Sequence, residues 1–118
     1  MDPDEKPVEE DQEIERDPRR AFTTVMKREC WQKQANVTGR DPVRWKRDMV
    51  ENILFYPASN CYGPVCYQYD HTYPWAKGGR TSVENCEALQ SSVNNFKSDK
   101  EYVPYEELKA SSKLLYLS

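Results

Sequence analysis

Histidine is almost missing from this chain. Among its 118 residues only His71 carries an imidazole, so any acid–base chemistry needing a group that titrates near neutral pH has a single address. Also missing is any apolar run approaching the ~18 residues that a membrane-spanning helix requires, and a soluble protein is the expectation. The N-terminus lacks the basic and apolar stretches of a signal peptide, and its acidity is wrong for an organellar transit peptide. The chain therefore reads as intracellular, with no compartment assigned. At this length it forms one domain at most, with room for a modest core.

Apolar residues are scarce too, at 37% against 31% charged, so part of the chain is expected to stay unpacked. Charge locates that part. Residues 1–18 hold nine acidic side chains against Lys6 and Arg16, a net −7, while the remainder carries a net +4. Residues 1–16 are accordingly expected to form a disordered acidic tail, either solubilising the protein or shielding a basic nucleic-acid face, and residues 17–118 a single domain. Between residues 19 and 50, nine basic side chains stand against three acidic ones, a local +6 and the best electrostatic argument for a nucleic-acid partner.

Asp17-Pro18 is a helix-start signal, Asp as N-cap and Pro in the first turn. The spacing predicts a helix over 18–35 with Phe22, Val25, Met26 and Cys30 on its apolar face and Arg19, Arg20, Lys27, Arg28 and Lys33 in water. A loop follows over 37–42. The segment 43–56 admits either a helical turn after Asp41 or a hairpin turning at Asp48–Asn52. The short β-prone run Ile53–Tyr56, stopped by Pro57, favours the hairpin, with Trp45 as a core anchor. Farther on, Cys66–Asp70 reads as a strand, Thr72–Arg80 as a loop and Asn85–Gln90 as a returning strand. Ser91 or Ser92 is then expected to cap a helix running to about Lys100. Pro104 to Leu117 suggests a last helix, packing through Leu108, Leu114, Leu115 and Tyr116.

The chemistry concentrates between Tyr67 and Lys100. Asp70 precedes His71 directly, Asn85 and Asn94 follow at intervals of 14 and 9 residues, and Lys97 lies one helical turn beyond. Taken singly, an Asp-His pair is an ordinary surface hydrogen bond and an Asn in a first helical turn an ordinary cap. Together with Pro74 and Gly78-Gly79 they are what a one-metal phosphodiesterase needs. A neutral imidazole suits the proton transfer from attacking water. A hard cation such as Mg²⁺ takes oxygen ligands and keeps several waters, so one carboxylate and one amide suffice beside a substrate phosphate.

The pattern Asp70-His71-x-x-Pro74-x-x-x-Gly78-Gly79, then Asn85, Leu89 and Asn94-x-x-Lys97, resembles the HNH endonuclease motif. It is most similar to the small HNH-domain proteins of plants, from Arg19-Arg20-Ala21-Phe22 through Lys100, and its spacing also resembles the HNH nuclease domain of RNA-guided CRISPR effectors. The resemblance implies an α+β chain whose ββα-metal core, a short β-hairpin and a helix, is flanked by an N-terminal and a C-terminal helix. It implies hydrolysis of DNA phosphodiesters, with His71 as general base and one Mg²⁺ or Mn²⁺ on Asp70 and Asn94. Asn85 would hold the loop or orient His71, and Lys97 would sit near phosphate. Candidate nucleic-acid contacts are Arg19, Arg20, Lys27, Arg28, Arg44, Lys46, Arg47, Lys77 and Arg80. The alternative is a catalytically idle HNH-fold subunit bound to a protein partner within a larger assembly.

Many HNH proteins hold a structural zinc between two Cys-x-x-Cys pairs. Here the first survives only as Cys61-x4-Cys66, and Gln90 and Val93 stand where the second would fall, so no structural zinc is expected and Cys30, Cys61, Cys66 and Cys86 are expected as reduced or buried thiols. Thr72 and Tyr73 depart from the aliphatic pair usual after the family's His. Tyr62, Tyr67, Tyr69 and Trp75 could stack on bases, but aromatics at such density are mostly core.

Overall fold

In the computed structural model of the protein, which describes residues 13–114, Asp48 organises the first sheet. Its Oδ1 accepts from the amides of Val50 and Asn52, and its own amide donates to Asn52 O at 2.9 Å, closing a turn in which Glu51 takes a left-handed φ of 70°. Strands β2 (Trp45–Arg47) and β3 (Ile53–Phe55) flank it as the hairpin the sequence favours, and β1 (Ala35–Asn36) adds an antiparallel edge. The alternation of this hairpin turns Lys46 and Leu54 inward. Trp45, expected as a core anchor, is only half-buried, stacking on Phe55 at 4.6 Å and under Arg40 at 4.5 Å, and the core position is taken by Trp31, 3% exposed.

The second sheet pairs β4 (Tyr67–His71) with β5 (Cys86–Gln90) antiparallel, Tyr67 opposite Gln90 and His71 opposite Cys86. Three helices complete an α+β fold: α1 (Thr24–Lys33), α2 (Ser91–Lys97) and α3 (Tyr105–Ala110). Gln34 joins the two sheets. Its amide donates to Arg47 O and Ala88 O and accepts from Ala88 N. Trp31, Leu54, Tyr67 and Ala88 fill the space between α1 and the sheets, and Val50, Leu89, Val93 and Leu108 fill that beneath α2 and α3. Each fully buried large side chain there contributes ~1.5–3 kcal/mol.

Several sequence expectations are corrected. The first helix begins at Thr24, capped by Thr23, whose hydroxyl accepts from Met26 N at 3.1 Å, because the Asp17 carboxylate is spent elsewhere. Val25 is 55% exposed rather than on the packed face. Neither Ser91 nor Ser92 caps α2: the N-cap is Gln90, and the helix ends at Lys97 where Ser98 turns to φ 49°. The last helix is only six residues long, with Leu108 buried and Leu114 exposed. Leu115, Tyr116 and the acidic tail through residue 12 lie outside the described residues. Cys61 and Cys66 form a disulfide, their Cα atoms 5.2 Å apart across a turn closed by Cys66 N on Gly63 O. Only Cys30 and Cys86 are free and buried.

Gln90 occupies the junction between β5 and α2. Its side chain, wholly buried, donates to Pro64 O and Lys113 O and accepts from Lys113 N, tying the disulfide turn to the chain's last described residues. No helix among the described residues is long and apolar enough to cross a membrane.

Candidate functional site

Alternation along β4 splits its side chains between two neighbours. Gln68 and Asp70 face α2, while Tyr67, Tyr69 and His71 face α1 and the segment leading into it. Beyond the bridge between Ser59 and Tyr67, this edge of β4 has no strand partner among the described residues. A cleft opens on each side of it, of about 410 Å³ and about 360 Å³, and Asp70, His71 and Arg20 line both. Asn94 lines the larger one.

His71 is held from three directions. Phe22 stacks on its ring at a centroid distance of 4.3 Å, Cys86 pairs with it across the sheet, and its Nε2 lies 3.0 Å from Thr81 Oγ1. The Thr81 hydroxyl donates its single proton to Arg19 O. Its lone pair is therefore what meets Nε2, which makes Nε2 the N–H donor and leaves Nδ1 as the basic nitrogen. Burial, with the charges of Arg20 and Lys97, pulls the His71 pKa below its ordinary value against the opposing pull of Asp70 and Asp17. This shift favours the neutral ring.

Asp70 is partly buried against Lys97. Its Oδ2 accepts from Lys97 Nζ at 2.7 Å, and that ammonium also donates to His71 O at 3.0 Å. Burial raises the Asp70 pKa, with Lys97 opposing. Lys97 itself is 6% exposed, so it departs from the phosphate position expected of it: it is an internal counter-ion, not a group offered to the cleft. The Asn94 amide donates to Gln68 Oε1 at 2.5 Å, which leaves its Oδ1 uncommitted. Asn85 clamps the loop. Its Oδ1 accepts from Tyr73 N, and its Nδ2 donates to Tyr73 O and Arg80 O. Gly79 packs so closely inside this loop that a Cβ there would collide with the Tyr73 carbonyl.

No family model, curated protein or solved structure matches this chain. The reading therefore rests on geometry.

The basic candidates separate. Arg20 and Lys27 line the clefts, Arg19 lies beside Asp17, and Lys77 and Arg80 belong to the clamped loop. Arg28 is exposed on α1 outside both clefts, and Arg44 pairs loosely with Asp41 at 3.9 Å. Lys46 is corrected most. It is 6% exposed and bonds Asn36 Oδ1 at 2.6 Å, so no phosphate reaches it, and Arg47 donates to Glu51 O. Tyr67 and Tyr69 pack against each other and Trp31, Tyr62 is exposed, and Trp75 joins the larger cleft.

The sequence reading missed Thr81, Gln68 and the work of Asp17. The Asp17 carboxylate accepts from Arg19 N at 2.9 Å and Thr81 N at 3.0 Å, and Asp17 O receives the indole N–H of Trp75 at 2.8 Å. Residues 17–22 thereby form a strap across the site loop. Nothing in the residue types marks Thr81 or Gln68 in advance. The Asp-Pro pair read as a helix cap, whereas the carboxylate's partner Thr81 lies 64 residues away.

Proposed function

We propose that the protein is an HNH-type, metal-dependent endonuclease that hydrolyses DNA phosphodiesters, built on a ββα-metal core of β4, β5 and α2. The observation that carries this reading is the convergence of Asp70, His71 and Asn94 on one cleft beside an otherwise unpaired strand edge. The donor set suits a hard cation of the Mg²⁺ or Mn²⁺ type. Among the described residues no three His, Cys, Asp or Glu side chains converge on a metal, but one carboxylate and one amide oxygen are sufficient where water and substrate phosphate complete the shell. Asp70 spends only Oδ2 on Lys97, and Asn94 spends only its amide nitrogen on Gln68. Asp70 Oδ1 and Asn94 Oδ1 are the atoms that would hold the ion.

When bound, the cation supplies positive charge to the scissile phosphate and its leaving oxygen. His71 takes the proton of the attacking water at Nδ1, its ring orientation held by Thr81 and Phe22. Lys97 opposes the burial that raises the Asp70 pKa. Asn85 holds the loop that carries Tyr73 and Arg80 in register with β5.

A second reading, an idle HNH-fold subunit of a larger assembly, is favoured by one observation: both ligand side chains already have internal partners. Purified protein incubated with plasmid and with single-stranded DNA in Mg²⁺ and in Mn²⁺ separates the two. Cleavage that His71→Ala abolishes supports the nuclease, and no cleavage by a folded wild type supports the subunit.

A further inference from the structure

Nine basic residues are candidates for nucleic-acid contact, yet one is placed unlike the others. Arg20 lines the clefts on both sides of the β4 edge, together with Asp70 and His71. Its guanidinium lies 4.7 Å from the centre of the Trp75 ring, and among the described residues it has neither a carboxylate nor a hydrogen-bond acceptor. The stack leaves its donors free in a planar fork, the geometry that matches two oxygens of a phosphate.

The support beneath it is rigid. Trp75 is fixed by its indole bond to Asp17 O, Arg19 is held at both its N–H and its carbonyl, and Phe22 is pinned on His71. A guanidinium on such a pedestal loses little freedom on binding. The clefts on either side differ in character: the larger is bounded by Trp75, Asn94 and Asn95, the smaller by Lys27, Asn60 and Tyr69. Each offers a ring and an amide, which is what a nucleoside needs for stacking and edge contacts.

We infer that Arg20 seats one phosphodiester at the β4 edge, with the nucleoside on each side of that phosphate lying in one of the two clefts, so that the site takes a single strand running through it. This deepens the nuclease reading and rests on it for the identity of the ligand, but it is a statement about binding. It assigns to one side chain a role that its eight basic companions do not share.

The test is a titration of the full chain with thymidylyl-thymidine, without divalent metal, followed through the arginine Nε–H and tryptophan indole N–H signals by NMR. The Arg20 signal is identified by its loss in Arg20→Lys. Expected are saturable shifts of Arg20 and Trp75 signals, no such shift with thymidine, affinity weakened about tenfold or more in Arg20→Ala, an intermediate value in Arg20→Lys, and an unchanged value in Arg40→Ala, which removes the same charge elsewhere. An unmoved Arg20 signal, or Arg20→Ala binding as well as wild type, overturns the inference. The outcomes separate from those for catalysis. Protein that binds through Arg20 but cuts no DNA keeps this assignment and loses the nuclease, whereas Arg20→Ala that binds and cuts like wild type does the reverse.

Discussion

Lys97 Nζ sits 2.7 Å from Asp70 Oδ2, with both side chains nearly out of solvent. Removing one member of such a pair leaves an unpaired buried charge, which costs about 3–5 kcal/mol, whereas removing both together costs far less. Lys97→Met should therefore unfold in urea with that loss of stability, and Asp70→Asn combined with Lys97→Met should recover most of it. A loss below about 1 kcal/mol for the single variant would show that the pair is not held as described.

The proposed nuclease activity should divide the site residues by behaviour. His71→Ala should lose ~10²–10⁴-fold in DNA cleavage while DNA affinity measured in EDTA stays unchanged. Asp70→Ala and Asn94→Ala should respond to added Mg²⁺, partly regaining activity at concentrations above those that saturate wild type. Equal cleavage by His71→Ala and wild type would move the chemistry to another site or to a contaminant.

Loop geometry has its own signature. Asn85→Ala breaks three hydrogen bonds at a partly exposed position, and a loss of about 1–2 kcal/mol is expected, with faster hydrogen exchange at the Tyr73 amide. Gly79→Ala should do greater damage, since the new methyl has no room beside the Tyr73 carbonyl. Unchanged exchange at Tyr73 in Asn85→Ala would remove the clamp.

Asp17 gives a pH test. Backbone donation from Arg19 and Thr81, in that order, holds its carboxyl below the ordinary value of 3.8. A group depressed in the folded state contributes stability that is present above its unfolded pKa and lost as pH falls through the folded one. The stability gap between wild type and Asp17→Asn should thus be full at pH 7 and shrink below pH 3.8. A gap independent of pH would deny the carboxylate its anchoring role.

Thiol counting tests the cysteines. Cys30 and Cys86 are wholly buried, and Cys30 beside Cys86, together with burial, pushes the Cys86 thiol far above its ordinary range. Native protein at pH 8 should show no thiol reactive toward a disulfide reagent. Denatured protein should show two, and denatured protein reduced beforehand should show four. Four reactive thiols without reduction would exclude the disulfide.

The legible parts of this chain were those governed by local pattern. Ile53–Phe55 before Pro57, and the runs ending at Asp70 and Gln90, are short β-prone segments bounded by turns, and they became β3, β4 and β5. Asp70, His71 and Asn94, distant in sequence, line one cleft. The departures arise where a side chain answers to a distant partner. Asp17 looked like a helix cap but serves Thr81, Lys46 looked solvated but bonds Asn36, and Lys97 looked available but neutralises Asp70. Cys61 and Cys66 became a disulfide because a turn brings them together, a fact that their spacing alone leaves open.

The strap made by residues 17–22 has a consequence for the order in which the protein is made. Its hydrogen-bond partners lie 58 to 64 residues downstream, and Asp70 waits for Lys97, 27 residues later. In a chain still being translated the Asp70 carboxylate has no counter-ion until α2 has emerged. Fragments ending before Lys97 are therefore expected to leave that carboxylate unpaired and, under the proposed nuclease reading, to cut no DNA.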